Sequence, residues 1–136
     1  MDLLARREHS AAEMRAKLLV REFDADEVDL AIERLVADGL LSDARFAEAF
    51  VASRIRKGQG PTRIRGELKQ RGVAVALIDV QLDRVDVDWT AMARSVREKK
   101  FGPERPADYR EQAKQSRFLQ YRGFSGEQIR HAFEQD

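Results

Sequence analysis

Apolar positions along this chain follow a pattern that comes round again. Met14, Leu18, Phe23, Val28 and Ile32 are followed 50 positions later by Ile64, Leu68, Val73, Ile78 and Leu82. A further shift of 51 sets Leu119, Phe124, Ile129 and Phe133 under Leu68, Val73, Ile78 and Leu82. A polar pair travels with the pattern: Arg71-Gly72 matches Arg122-Gly123, with Arg21-Glu22 in the first copy. Met14 and Leu18, and Ile64 and Leu68, lie four apart, which places each pair on one face of a helix. A unit used about three times stacks on its neighbours, buries a shared core and presents a large surface. That favours a large binding partner over an enclosed small substrate.

Helix punctuation places the elements. Ser10 with Glu13 makes a capping box at the start of a helix over about 11–22, with Met14 and Leu18 on one face. Asp24 and Glu27 open a second, about 25–38, whose stripe is Val28, Ala31, Ile32 and Leu35, and Gly39 ends it. Ser42 caps a third, about 43–57, with Phe46, Ala47 and Phe50 inward, and Gly58 closes it. Pro61 suits the first turn of the next helix, which runs to Arg71 and stops at Gly72. A short helix over about 75–85 carries Ile78, Leu82 and Val85. Asp88 caps one over about 89–100, with Trp89, Met92, Ala93 and Val96 inward. After Gly102-Pro103 and Pro106 come helices over about 107–122 and, capped by Ser125, about 126–134.

The organisation read from this is all-α. Residues 1–9 are the tail of an N-terminal helix, 10–58 a first repeat, 59–102 a second and 103–136 a partial third without its last helix. Asp2 to Arg7 is already helical in pattern and reads as the end of a longer helix belonging to a preceding unit. No segment alternates apolar and polar residues with β-branched enrichment, so no strand is expected.

Composition narrows the class. The chain has 136 residues, 43% hydrophobic and 36% charged, which suits amphipathic helices around a thin core. It has no cysteine, so disulfides and thiolate metal sites are excluded. No apolar run approaches the roughly 20 residues that span a bilayer, and no signal peptide is visible, so the chain reads as soluble and cytoplasmic. The net charge of +1 hides an asymmetry: residues 1–52 carry 7 Lys/Arg against 12 Asp/Glu, and residues 53–100 carry 12 against 6. The densest stretch runs from Arg54 to Arg71, where only Glu67 opposes seven basic residues. A segregated basic stripe is a footprint for anionic partners, and a solvated helix face is its bland alternative.

Catalytic chemistry finds little support. His9 and His131 are the only histidines and stand at opposite ends of the chain. No Cys/His spacing suggests zinc. Gly58-Gln59-Gly60 follows a helix and lacks a third glycine, so it reads as an interhelix turn and not a phosphate loop. Gly66 lies inside a helix, where it costs about 1 kcal/mol against alanine. Phe23, Phe46, Phe50, Trp89, Phe124 and Phe133 fall at core spacing. Tyr109, Phe118 and Tyr121 share a helix with Arg110, Lys114, Arg117 and Arg122. Such aromatics can stack on bases, although packing against the preceding unit is the favoured reading.

Longer segments resemble a known family. Ser42-Asp43-Ala44-Arg45-Phe46-Ala47, Phe50-Val51, Ser53-Arg54 and Lys57-Gly58-Gln59-Gly60-Pro61, continuing through Ile64-Arg65 and Glu67-Leu68 to Arg71-Gly72, resemble the core signature of the RecX family. Ala5 to Ser10, Asp88-Trp89, Lys100-Phe101-Gly102, Phe118-Leu119 and Arg122-Gly123-Phe124 agree with it in order. The resemblance implies tandem three-helix repeats, two complete and a third partial, in a curved elongated array. It implies a bacterial regulator, mainly an inhibitor, that binds as a monomer in the groove of the RecA–DNA filament. Bridging protomers there suppresses ATP hydrolysis, strand exchange and coprotease activity, in DNA repair and the SOS response. No enzyme activity and no cofactor are expected of the chain itself. The expected binding residues are Arg54, Arg56, Lys57, Arg63, Arg65, Lys69 and Arg71, joined by Arg94, Arg97, Lys114 and Arg117. Two other classes remain open: a repeat protein that binds single- or double-stranded DNA directly, and a helical adaptor without a filament partner.

Overall fold

The structure is a computed structural model and describes residues 7–21 and 23–134. Among these residues it contains eight α-helices and no strand. They are α1 (Ala11–Val20), α2 (Ala25–Ala37), α3 (Asp43–Arg56), α4 (Pro61–Gln70), α5 (Val75–Arg84), α6 (Trp89–Phe101), α7 (Tyr109–Tyr121) and α8 (Gly126–Ala132). The expected N-terminal helical tail falls mostly on residues 1–6, outside the described residues.

Local chemistry sets the helix ends. The Ser10 hydroxyl accepts from the Glu13 amide while the Glu13 carboxylate accepts from the Ser10 amide. Ser125 and Gln128 form the same reciprocal pair at α8. Asp88 and Asp108 accept from the third residue of α6 and α7, and Ser42 from Arg45. Asp24 precedes α2 in extended backbone but its carboxylate makes no capping bond, contrary to expectation. Helix α7 begins two residues later than its pattern suggests, because Asp108 is its cap and lies outside the helix.

The described residues divide into two compact units. One comprises residues up to Val51 together with Glu67–Asp83, and the other Ala52–Gly66 together with residues from Arg84 onward. In the first unit Met14, Val28, Leu41, Phe46, Ala47, Phe50, Val51, Leu68, Val73, Ile78 and Leu82 are buried. In the second, Ala93, Leu119, Phe124, Ile129 and Ala132 form a buried cluster, with Trp89, Met92, Val96, Phe118 and Phe133 packed against it.

Helix α2 departs from its expected stripe. Val28 is buried, but Ile32 and Leu35 are half-buried, Ala31 is exposed, and Phe23 just before the helix is 51% exposed. Helix α2 packs on α1, which covers Val28 and leaves the rest of the stripe partly open to solvent. An open groove lined by Leu18, Phe23, Leu30 and Leu35 is the result.

Each unit contains the same joint between the start of one helix and the Arg-Gly turn that ends another. In the first unit the Ser10 hydroxyl, besides capping α1, donates to the Arg71 carbonyl at 2.7 Å. The Ala11 amide, an otherwise orphaned donor of the first helical turn, donates to Asp43 Oδ1 at 2.8 Å. In the second unit the Gly60 amide donates to the Arg122 carbonyl at 2.8 Å and the Thr62 amide to the Gly123 carbonyl at 2.9 Å. Gly72 and Gly123 have φ of 83° and 100°. Side chains rarely adopt that backbone, and the opposing chains leave no room for one: a Cβ on Gly123 would sit 2.8 Å from the Arg63 nitrogen.

Candidate functional site

The side chain of Glu13 gathers the polar core of the first joint. Its Oε1 accepts from Arg7 at 3.2 Å, and its Oε2 from Arg7 at 3.3 Å and Arg71 at 2.9 Å. Burial raises the Glu13 pKa, but the Arg7 and Ser10 hydrogen bonds and the Arg7 and Arg71 charges outweigh it and hold the carboxyl below its ordinary value. The Arg71 guanidinium also lies 5.0 Å from the Phe50 ring centroid. Nearby, His9 is buried, with Nδ1 3.0 Å from the Arg7 carbonyl and Nε2 2.8 Å from Lys17 Nζ. An ammonium only donates, so Nε2 accepts and Nδ1–H donates to the carbonyl, which is neutral histidine. Burial first, then the Arg7 and Lys17 charges, push its pKa down.

The eleven basic residues singled out in the sequence have different fates. Arg56, Lys57, Lys69, Lys114 and Arg117 are exposed, while Arg54 and Arg65 are half-buried. Arg71 is committed to Glu13. Arg94 closes the end of α8: its Nη2 donates to the carbonyls of His131 at 3.1 Å and Glu134 at 3.3 Å, where cations complement the helix dipole. Arg97 is buried, donates to Gln115 Oε1 at 3.2 Å and the Glu104 carbonyl at 3.3 Å, and lies over Phe133. All three guanidiniums are engaged within the fold: Arg71 and Arg94 keep partial exposure, whereas Arg97 is buried. Their charge suggested exposure, but a guanidinium can be buried wherever carbonyls and carboxylates converge on its fork.

Around the second joint the structure assembles cations and aromatics from three helices. Arg122 donates from Nη1 to the Lys57 carbonyl at 3.0 Å, and its guanidinium lies 5.2 Å from the Phe118 ring centroid. Lys100 lies 5.8 Å from the same ring, and Phe101 meets it edge-on at 5.3 Å. Arg63 lies 5.2 Å from the Tyr121 ring centroid. Arg122 and Lys100 were not among the expected binding residues, although the four-residue step from Phe118 to Arg122 was visible in the sequence.

Among the described residues no group of three or more His, Cys, Asp or Glu is placed to hold a metal ion. No described helix is long and apolar enough to cross a membrane. Fold and surface together define a helical repeat protein in which each Arg-Gly turn seats the start of another helix, with exposed cations on α3, α4 and α7.

Comparison with known proteins places that architecture. Three family models match: RecX, first three-helix domain, at residues 1–35; RecX, second three-helix domain, at 42–80; and RecX, third three-helix domain, at 86–133. The chain belongs to the RecX family. It is 52% identical over 130 residues to the regulatory protein RecX of Halorhodospira halophila, covering 96% of this chain and 81% of that one. It is 48% identical over 129 residues to the regulatory protein RecX of Pseudomonas fluorescens strain Pf-5, covering 95% and 83%. The crystal structure of RecX from Lactobacillus salivarius superposes with a TM-score of 0.80 at 22% identity, over 96% of this chain and 87% of that one, a likeness of fold. The second and third family domains begin with α3 and α6, so they group the helices as α3–α5 and α6–α8.

Proposed function

We propose that this protein regulates the RecA recombinase by lying in the groove of the RecA–DNA filament and bridging neighbouring protomers, which suppresses ATP hydrolysis, strand exchange and coprotease activity. The observation that carries this reading is the family match over all three helical domains, with relatives that bear the name regulatory protein RecX. The exposed cations Arg56 and Lys57 at the end of α3 and Lys69 on α4 support it, because an anionic groove rewards a basic surface with faster and more selective docking. In this reading the chain acts as a cytoplasmic monomer without a cofactor. It is a binding regulator and not an enzyme, and the ATP whose hydrolysis it suppresses belongs to RecA.

Co-sedimentation with RecA filaments on single-stranded DNA tests the contact. The wild-type chain should pellet with filaments. A variant with Arg56, Lys57 and Lys69 changed to glutamate should stay in the supernatant while keeping its helical circular dichroism. Equal pelleting of both would remove these three cations from the interface.

A further inference from the structure

We infer that the outer face of α7 is a contact site for single-stranded nucleic acid, with Tyr121 as the platform on which a base stacks. Arg110, Lys114, Arg117 and Tyr121 are all exposed. At 100° per residue they fall within an arc of about 60° and form a stripe about 16 Å long. No acidic residue interrupts it: Glu111 points elsewhere and accepts from Gln115. Arg110, Lys114 and Arg117 form no ion pair among the described residues. Three cations one turn apart, ending at an aromatic ring, make the pairing that single-strand binders use, charge for the backbone and a π-face for the base.

Tyr121 is 75% exposed, so packing does not account for its ring. The Arg63 guanidinium covers one face at 5.2 Å from the centroid and also donates to the Tyr121 carbonyl at 3.4 Å. With three quarters of the residue exposed, most of the ring remains in solvent. A cation held against one face of an aromatic ring orients that ring and adds positive potential beside any base stacked on the other. An acidic protein groove would satisfy the three cations and pack on the ring as well, so competition with an acidic polypeptide separates that reading from a nucleic acid. A duplex keeps its bases stacked on one another and offers none to Tyr121, which is why a single strand fits better.

The site stands on its own geometry and is tested without RecA, so its failure leaves the regulation of RecA untouched. The experiment is fluorescence anisotropy of a labelled oligothymidylate over a salt series. Wild-type protein should bind, with affinity falling as salt rises. Tyr121→Ala should weaken binding about 5- to 150-fold with an unchanged salt slope, as expected for one lost stacked base, and Tyr121→Phe should bind like wild type. Lys114→Gln with Arg117→Gln should instead reduce the slope by about 1.4, two phosphate contacts at about 0.7 each. Absence of binding at low salt, or a Tyr121→Ala variant indistinguishable from wild type, would overturn the inference. So would displacement by polyglutamate at equal charge, which would assign the face to an acidic protein, or equal affinity for duplex and single strand.

Discussion

The amide of Gly60 donates to the carbonyl of Arg122 at 2.8 Å. This bond joins the residue before α4 to the turn after α7, and it has a counterpart in the 2.7 Å bond from the Ser10 hydroxyl to the Arg71 carbonyl. Ser10 and Gly60 are 50 positions apart, and Arg71 and Arg122 are 51. The Arg-Gly pair travels with the apolar repeat because it is the socket into which the start of another helix fits. Chemistry within the socket differs: a hydroxyl serves in one copy and a backbone amide in the other, and the arginine side chain goes to Glu13 in one and to the Lys57 carbonyl in the other.

The sockets should not tolerate side chains. Gly123→Ala and Gly72→Ala each place a Cβ into an opposing chain at a backbone angle that alanine rarely adopts. Gly60→Ala sets a Cβ 2.5 Å from the Gly123 carbonyl group. Each should cost at least about 2 kcal/mol, because overpacking adds to backbone strain at the first two positions. Urea unfolding midpoints measure this. A loss below about 0.5 kcal/mol at Gly123 would mean that the joint adapts and is not a fixed socket.

Gly66 should behave in the opposite way. It lies within α4, a Cβ there meets nothing within 4 Å, and its φ is not positive. Close packing therefore gives no reason for it. Gly66→Ala should stabilise the protein by about 1 kcal/mol through helix propensity and a less flexible unfolded chain. An unchanged or lower melting temperature would contradict this.

Phe46 and Phe50 are core residues in spite of their charged neighbours. They are 3% and 8% exposed with ring centroids 5.7 Å apart. Phe50→Ala should lose about 3–5 kcal/mol, a large share of the 5–15 kcal/mol that typically holds a domain. Any effect on RecA should vanish at low temperature, where the variant stays folded. A normal unfolding midpoint with lost regulation would place Phe50 in the interface.

Two groups in the first unit make stability fall on the acid side. His9 has a lowered folded pKa, so the unfolded chain binds its proton first as pH drops below the ordinary value of 6.5, and the stability it confers declines until the folded form protonates as well. Glu13 is also lowered, from 4.5, so its contribution is complete above that pH and is lost as pH falls through the folded value. Unfolding midpoints should therefore drop in two stages between neutral and acid pH. Glu13→Gln should remove the lower stage and leave the upper one. A profile flat from pH 7 to pH 5 would show that burial and the neighbouring cations do not lower the His9 pKa.

The helices were legible in the sequence because their ends are written in local chemistry. Ser10, Ser42, Asp88 and Ser125 bond to the amide three residues on, and no tertiary knowledge is needed to expect that. The period of the Arg-Gly pair was legible too, but its purpose was not, since the helix start that fits each socket lies far along the chain. Phe23 has core spacing yet is half in solvent, because spacing reveals a face and not whether another element covers it. Arg97 is buried against expectation, and His9 is buried too, for the converse reason: carbonyls and charged groups brought close by folding give their polar atoms partners. The cluster of Lys100, Phe118 and Arg122 is likewise a product of α6 packing on α7.

Regulation of RecA is tested most directly by ATP hydrolysis. RecA turnover on single-stranded DNA is measured while this protein is titrated from far below one molecule per RecA protomer to saturation. A regulator that bridges protomers affects more than the protomer it touches, so hydrolysis should decline well before equivalence, and the protein alone should hydrolyse nothing. RecA turnover that stays constant up to saturating protein would contradict the proposed regulation outright.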